Sequence, residues 1–180
     1  MVNPPPTLRL AGPDDAARLA DLGARAFRET FASENTPENL ADYLRHSVSP
    51  EIQAAEVAQP GSSFLILELD GAAVGYARVL AGSIDPALQA SAEWNTQRPM
   101  ELVRIYLLQG LTGQRLGDVL MQGCIDLARQ QAMEMLWLGV WEKNPRAIGF
   151  YRRWGFEPVG KHIFQLGQDS QTDLILARRV

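Results

Sequence analysis

Apolar positions along this chain recur in two rhythms, and the switch between them marks out the elements. From Leu102 to Leu108 branched apolar residues dominate a run bounded by Pro99 and Gly110, the pattern of a buried strand. From Leu116 onward the apolar positions are Leu116, Leu120, Cys124 and Leu127, which share one helical face. Met135 to Trp141 is again a short apolar run, too short for an ordinary helix, and it predicts a strand. Asn144 followed by Pro145 suits an N-cap and a first helical turn running on to Trp154, and Gly155 closes that helix. A strand, one crossover helix and a second strand favour parallel pairing.

The same rhythms organise the rest. Thr7 to Leu10 predicts a short strand. Pro13-Asp14-Asp15 opens a helix with Leu19, Leu22, Ala26 and Phe27 on one face, broken at Thr30 to Asn35. Thr36-Pro37-Glu38 starts a second helix, with Leu40, Tyr43 and Leu44 on one side, and Pro50 to Ala58 makes a third, ended by Pro60-Gly61. Ser63 to Leu69 and Ala72 to Leu80 alternate as strands around Asp70-Gly71, a hairpin turn whose residues must both reach positive φ. Ala81 to Pro99 reads as a long loop with a helical turn around Ala87 to Ala92, and Gly160 to Leu166 and Thr172 to Ala177 as two antiparallel strands.

Composition narrows the function classes. The 180 residues, 46% hydrophobic, predict one domain spanning 1–180 with a sizeable core. No apolar run approaches the roughly 20 residues that span a bilayer, so no membrane partner is expected. Met1 to Pro6 lacks the basic and apolar regions of a secretory signal. The single cysteine, Cys124, falls on an apolar helix face and reads as a packed core thiol; together these predict a cytoplasmic location. The net charge is −4 with no concentration of Lys and Arg, which argues against nucleic acid and mildly favours a cationic substrate.

Chemistry concentrates in the loop Thr112-Gly113-Gln114-Arg115-Leu116-Gly117, between a strand end and a helix start. Unpaired N–H groups and the helix dipole make an anion site there. Gly113 and Gly117 let a phosphate approach the main chain, and Arg115 adds a fixed positive charge. A tight strand-to-helix turn would use the same glycines. The pyrophosphate motif Gln/Arg-x-x-Gly-x-Gly/Ala falls on this loop, with Thr112 in place of the usual Gln or Arg and Arg115 in place of the middle glycine. A second segment, Asn144-Pro-Arg-Ala147-Ile-Gly-Phe150-Tyr151-Arg-Arg-Trp-Gly155-Phe156, matches Asn-x-x-Ala-x-x-Phe-Tyr-x-x-x-Gly-Phe. With the order of elements, these resemble the GNAT superfamily of N-acetyltransferases over nearly the whole chain. Phe27-Arg-Glu-Thr-Phe31 with Asn35, Leu136 to Asn144, and His162 with Gly167 and Gln171-Thr-Asp173 are similar to PaiA-type polyamine acetyltransferases.

The resemblance implies an α/β fold of layered α+β type: a mixed, mostly antiparallel central sheet, a parallel pair of fourth and fifth strands splayed to hold the coenzyme, and helices on both faces. It implies acetyl-CoA as co-substrate, no metal, and a primary amine of a small molecule as acceptor, a polyamine among the candidates. Main chain at Tyr106, Leu107 and Leu108 would pair with the pantetheine arm. Gly113, Gln114, Arg115, Leu116, Gly117 and Asp118 would meet the pyrophosphate, and Asn144, Ala147 and Tyr151 the rest of the coenzyme. An N–H of Ile105 or Leu107 would face the thioester oxygen. Tyr151 would protonate the leaving thiolate, and Glu101 would act as base, four positions before Ile105 on the same strand face. His46 and His162, the two histidines, show no partner spacing for a metal or a triad, and Asp173 reads as structural. Phe31, Asn35, Tyr43 and Trp94 are candidate acceptor walls, and Glu29, Glu34 and Glu38 candidate carboxylates for a polyamine. A peptide or protein acceptor, a non-catalytic acyl-CoA sensor and a homodimer stay open.

Overall fold

Local capping starts most of the helices where the sequence predicts them. The computed structural model describes residues 5–33, 35–111, 114–166 and 169–180. After strand β1 (Thr7–Leu10), a single 3-10 turn leads into helix α1 (Ala16–Phe31). α1 passes the predicted break at Thr30, whose hydroxyl turns back to donate to the Ala26 carbonyl at 2.8 Å. Helix α2 (Pro37–Ser47) is capped by the Thr36 side chain, which accepts from the Asn39 N–H. Helix α3 (Pro50–Ala58) is capped in the same way by Ser49. Strands β2 (Ser62–Leu69) and β3 (Ala72–Ala81) are joined by Asp70 at φ 51° and Gly71 at φ 77°, the hairpin turn expected. The long loop that follows carries a short helix α4 (Pro86–Gln89), started by an Asp85 carboxylate oxygen that accepts from the Ala87 N–H at 2.8 Å.

Strand β4 (Pro99–Leu107) begins at Pro99 rather than Leu102, because the Pro99 carbonyl already accepts from the Gly82 N–H at 2.8 Å. A proline is tolerated at the first residue of a strand. Helix α5 (Leu116–Gln130), strand β5 (Met135–Trp141) and helix α6 (Pro145–Arg153) lie where the apolar rhythm puts them. Strands β6 (Glu157–Leu166) and β7 (Asp169–Arg179) are both longer than predicted. Main-chain pairing carries them past the apolar residues, in a register from Glu157↔Ala177 to Leu166↔Asp169 with an irregularity between Pro158 and Gly160.

Among the described residues, seven strands form one sheet in the order β1-β2-β3-β4-β5-β7-β6. β4 and β5 are parallel, paired from Pro99↔Met135 to Glu101↔Trp137, while β1 with β2, β5 with β7 and β6 with β7 are antiparallel. This is the mixed sheet that the resemblance implies.

The chain divides into two compact units, Met1–Val79 with Arg104–Cys124, and Leu80–Val103 with Ile125–Val180. The first has a core of Leu19, Leu22, Phe64, Ile66 and Tyr76, with Tyr106 and Leu108 packed against it. Gly123 of α5 lies so close to β1 and β2 that a Cβ there would stand 2.2 Å from Leu8 Cδ2. Cys124 is fully buried, and burial pushes its thiol up to about 12, as expected of a packing residue. The second unit has a core of Leu88, Trp94, Met135, Trp137, Ile175 and Ala177. Trp94, expected as a candidate acceptor wall, is therefore a core residue, with the Arg179 guanidinium 5.2 Å from its ring centroid.

Candidate functional site

The end of β4 belongs to the first unit. The Leu108 N–H donates to the Val74 carbonyl at 3.0 Å. The Tyr106 ring turns into an aromatic cluster, 5.6 Å from Tyr76 and 6.2 Å from Phe27, and Phe27 stacks on Tyr43 at 4.3 Å. Burial raises the phenols of Tyr43, Tyr76 and Tyr106, so all three are neutral at pH 7. Phe31 and Tyr43 thus belong to a packed aromatic wall, and the Asn35 side-chain amide donates to the Phe31 carbonyl at 3.0 Å. Glu29 is tied to the chain beyond β4, accepting from the Gln109 N–H at 2.8 Å, while Glu38 is exposed.

Arg115 stands just ahead of α5 at φ 58°. A left-handed residue before a helix N-terminus aims successive N–H groups into one concavity, the geometry of an anion nest. Gln114 and Arg115 are exposed beside it, which fits an anionic diphosphate. Leu116 is buried, so only its main chain could meet such a group. Gly117 and Asp118 are half-buried in the same turn, and the Asp118 N–H donates to the Arg115 carbonyl at 3.0 Å. Thr112, Gly113, Glu34 and Gly167 lie outside the described residues.

A buried ionic network in this unit was not legible in the sequence. Glu56 accepts from Arg78 at 2.8 Å and from Arg104, and Arg78 also donates to Gln59 and Ser62. Its members come from α3 and the residue after it, β2, β3 and β4, and no local spacing links these elements.

In the second unit, the Asn144 side-chain oxygen Oδ1 caps α6 by accepting from the Ala147 N–H at 3.0 Å. The cap uses the N–H of Ala147 and leaves the Asn144 amide NH2 group for a ligand. Tyr151 is buried on α6, its ring 5.4 Å from Phe150 and 5.8 Å from Phe156. Glu101 sits opposite Trp137 in the β4–β5 register and accepts from the Ser83 hydroxyl at 2.6 Å, and the Trp137 indole N–H donates to the Ser83 carbonyl at 2.8 Å.

Along β5, one pleat beyond Trp137, is the exposed Gly139, and over it lie two groups the sequence left unconnected. His162 Nδ1 is 2.9 Å from Asp85 Oδ2, and its Nε2 is 3.9 Å from Asp173 Oδ2. Burial pushes the Asp173 carboxyl up to about 6, a rise opposed by His162, and its Oδ1 is buried without a partner. The expectation that His162 lacks triad-like partners is therefore corrected. Asp85 lies 77 residues away along the chain, and Asp173 meets His162 only through the β6–β7 pairing. His46 is exposed, its Nδ1 2.9 Å from the Asp42 carbonyl oxygen one helical turn earlier. Among the described residues, no cluster of three or more His, Cys, Asp or Glu is arranged to hold a metal ion, and no helix is long and apolar enough to cross a membrane.

A sequence profile described as the Acetyltransferase (GNAT) family matches residues 21–156, drawing on both units. An uncharacterised N-acetyltransferase from the pepI 3′ region of Lactobacillus delbrueckii subsp. lactis is 32% identical over 164 residues, 91% of each chain. An uncharacterised N-acetyltransferase of Mycobacterium bovis is 30% identical over 166 residues, 92% of this chain and 98% of that one. The crystal structure of a PaiA N-acetyltransferase from Thermoplasma acidophilum in complex with coenzyme A superposes with a TM-score of 0.74. It is 17% identical, with 98% of this chain and 99% of that chain covered.

Proposed function

We propose a small-molecule primary amine as the acceptor of this chain, which belongs to the GNAT acetyltransferase family and is an acetyl-CoA-dependent N-acetyltransferase. The observation that carries the proposal is that three carboxylates of the second unit, Asp85 and Asp173 around His162 and Glu101 on β4, stand without a permanent cation. Among the described residues, none of these carboxylates is paired with a lysine or arginine. Asp85 and Asp173 face His162, which can be neutral, and Glu101 faces the Ser83 hydroxyl, so no permanent cation offsets them; such carboxylates attract an ammonium group, and the net charge of −4 works in the same direction. A polyamine fits this reading.

We assign the coenzyme contacts to main chain at Tyr106, Leu107 and Leu108, to Gly113, Gln114, Arg115, Leu116, Gly117 and Asp118 around the phosphates, and to Asn144, Ala147 and Tyr151. The nest at Arg115 and the N-terminus of α5 support the phosphate assignment. The free amide NH2 of Asn144 supports a hydrogen bond to the pantetheine portion. Acetyl-CoA supplies the activated acyl carbon. Glu101 holds the incoming ammonium electrostatically, and Tyr151 delivers a proton to the departing sulfur. The single cysteine, buried in the core, is compatible with the reducing cytoplasm, where we place the protein.

Steady-state release of free thiol from acetyl-CoA tests this, across spermidine, spermine, small amines, amino acids and short peptides. Amine-dependent release is expected, with spermidine or spermine ahead if the acceptor is a polyamine. Release with peptides alone would overturn the small-molecule reading. Acetyl-CoA binding with no release from any acceptor would leave a sensor.

A further inference from the structure

Acetyl transfer to an amine requires that the ammonium first lose a proton to a group or water beside it. Glu101 is the candidate by strand position, but its Oε2 already accepts the Ser83 hydroxyl at 2.6 Å. That oxygen is therefore already engaged. His162 is differently placed. Its ring is about a third exposed, and Asp85 Oδ2 lies 2.9 Å from Nδ1. With the Nδ1 hydrogen donated to that carboxylate, the Nε2 lone pair is free to accept.

Asp85 is itself fixed by another bond, since its Oδ1 accepts from the Ala87 N–H at the start of α4. Nε2 faces the exposed main chain of Gly139. A Cβ at that position would stand 3.2 Å from Nε2 and 3.3 Å from Asp173 Oδ2, so glycine there keeps the approach between the two groups open. The charged groups facing the ring are Asp85, from the loop before α4, and Asp173, from β7. β5 contributes the uncharged Gly139, and Lys161 next to His162 pairs with Glu142. In a carboxylate–histidine pair the carboxylate fixes the tautomer and orientation of the ring, and Asp85 is placed to do so here.

We infer that His162, oriented by Asp85 and flanked by Asp173, is the general base that deprotonates the acceptor ammonium above Gly139. The inference rests on the acetyl-transfer reading given above. Neutral Nε2 takes one proton from R–NH3+, leaving R–NH2 and an imidazolium. The amine nitrogen then forms the C–N bond to the thioester carbonyl carbon as the C–S bond breaks. The sulfur receives the Tyr151 proton, and Tyr151 is restored by the second proton of the nitrogen. The imidazolium returns its proton to solvent, so one proton is released per turnover.

The test is the pH profile of kcat/KM for the best amine, in wild type, His162→Gln, Asp85→Asn and Glu101→Gln, with acetyl-CoA affinity measured in parallel. Asp85→Asn keeps an oxygen able to cap α4. Its amide NH2 at the Oδ2 position would force the hydrogen of His162 onto Nε2 and so remove the base while leaving the fold intact. Both His162→Gln and Asp85→Asn should lower kcat/KM by on the order of 10²-fold or more. Both should also lose the wild-type rise with pH while binding acetyl-CoA normally. Glu101→Gln should weaken acceptor binding and keep the rise. Retention of the wild-type profile in Asp85→Asn and His162→Gln, or its loss in Glu101→Gln alone, would overturn the assignment and leave the acetyl-transfer reading intact. Absence of turnover with any amine in the wild type would overturn both.

Discussion

Single residues carry most of the chemistry, and they differ in how visible they are in the chain. Tyr151 and Asn144 sit in one local segment that resembles the family's Asn-x-x-Ala-x-x-Phe-Tyr motif, and the structure seats both on or at the start of α6. Tyr151→Phe removes only the hydroxyl, so kcat should fall by on the order of 10²-fold with acetyl-CoA affinity unchanged. Steady-state kinetics beside equilibrium binding checks this, and an unchanged kcat would refute the assigned role. Asp15 is a residue of a different kind. Arg9 donates to it at 2.7 and 2.8 Å and the Gly12 N–H at 3.0 Å, and these bonds, the Arg9 pair foremost, hold its carboxyl down to about 2 from an ordinary 3.8. A depressed carboxyl stabilises the fold above its unfolded pKa, and that contribution is lost as pH falls through about 2. Asp15→Asn should therefore destabilise the protein at pH 7, and much less near pH 2. The pair is partly exposed, so the effect should be at most about 1 kcal/mol. Urea unfolding at the two pH values measures the difference.

At the scale of elements, propensity and capping were readable, but strand lengths were less so. Thr36, Ser49 and Asn144 cap their helices as their positions before proline imply. β6 and β7 run beyond their apolar residues because a partner strand satisfies their main chain, which no pattern within either segment reveals. The N-cap of α6 gives an element-scale prediction, because the proposed coenzyme contact of Asn144 uses a different atom from its cap. Asn144→Ala should cost about 1 kcal/mol of stability through the lost cap, and also acetyl-CoA affinity. Asn144→Asp should keep the cap and lose affinity only, since a carboxylate accepts from Ala147 but cannot replace the amide NH2. Thermal melts paired with coenzyme titrations separate the two. Equal affinity in Asn144→Asp and wild type would remove Asn144 from the coenzyme site.

For the molecule as a whole, Asp173 makes stability depend on pH in the opposite sense to Asp15. Burial first, opposed by His162, sets its folded pKa at about 6 against 3.8. The stabilising contribution of its protonated form is full below 3.8 and is lost as pH rises through about 6. Asp173→Asn should flatten that decline, so the gap in melting temperature between pH 4 and pH 7 should narrow relative to wild type. A gap left unchanged would mean that Asp173 titrates normally. The sequence by itself determined the family, the order of the elements, the hairpin at Asp70-Gly71, the core role of Cys124 and the coenzyme-site candidates. Each of these is written in short-range spacing: helical faces, caps before proline, turn residues, motif intervals. Only the tertiary structure decided that Trp94 is core, that Glu56 joins Arg78 to Arg104, and that Asp85, His162 and Asp173 meet over Gly139. Those groups come from separate elements, and sheet pairing and loop path, not any interval along the chain, bring them within hydrogen-bond reach.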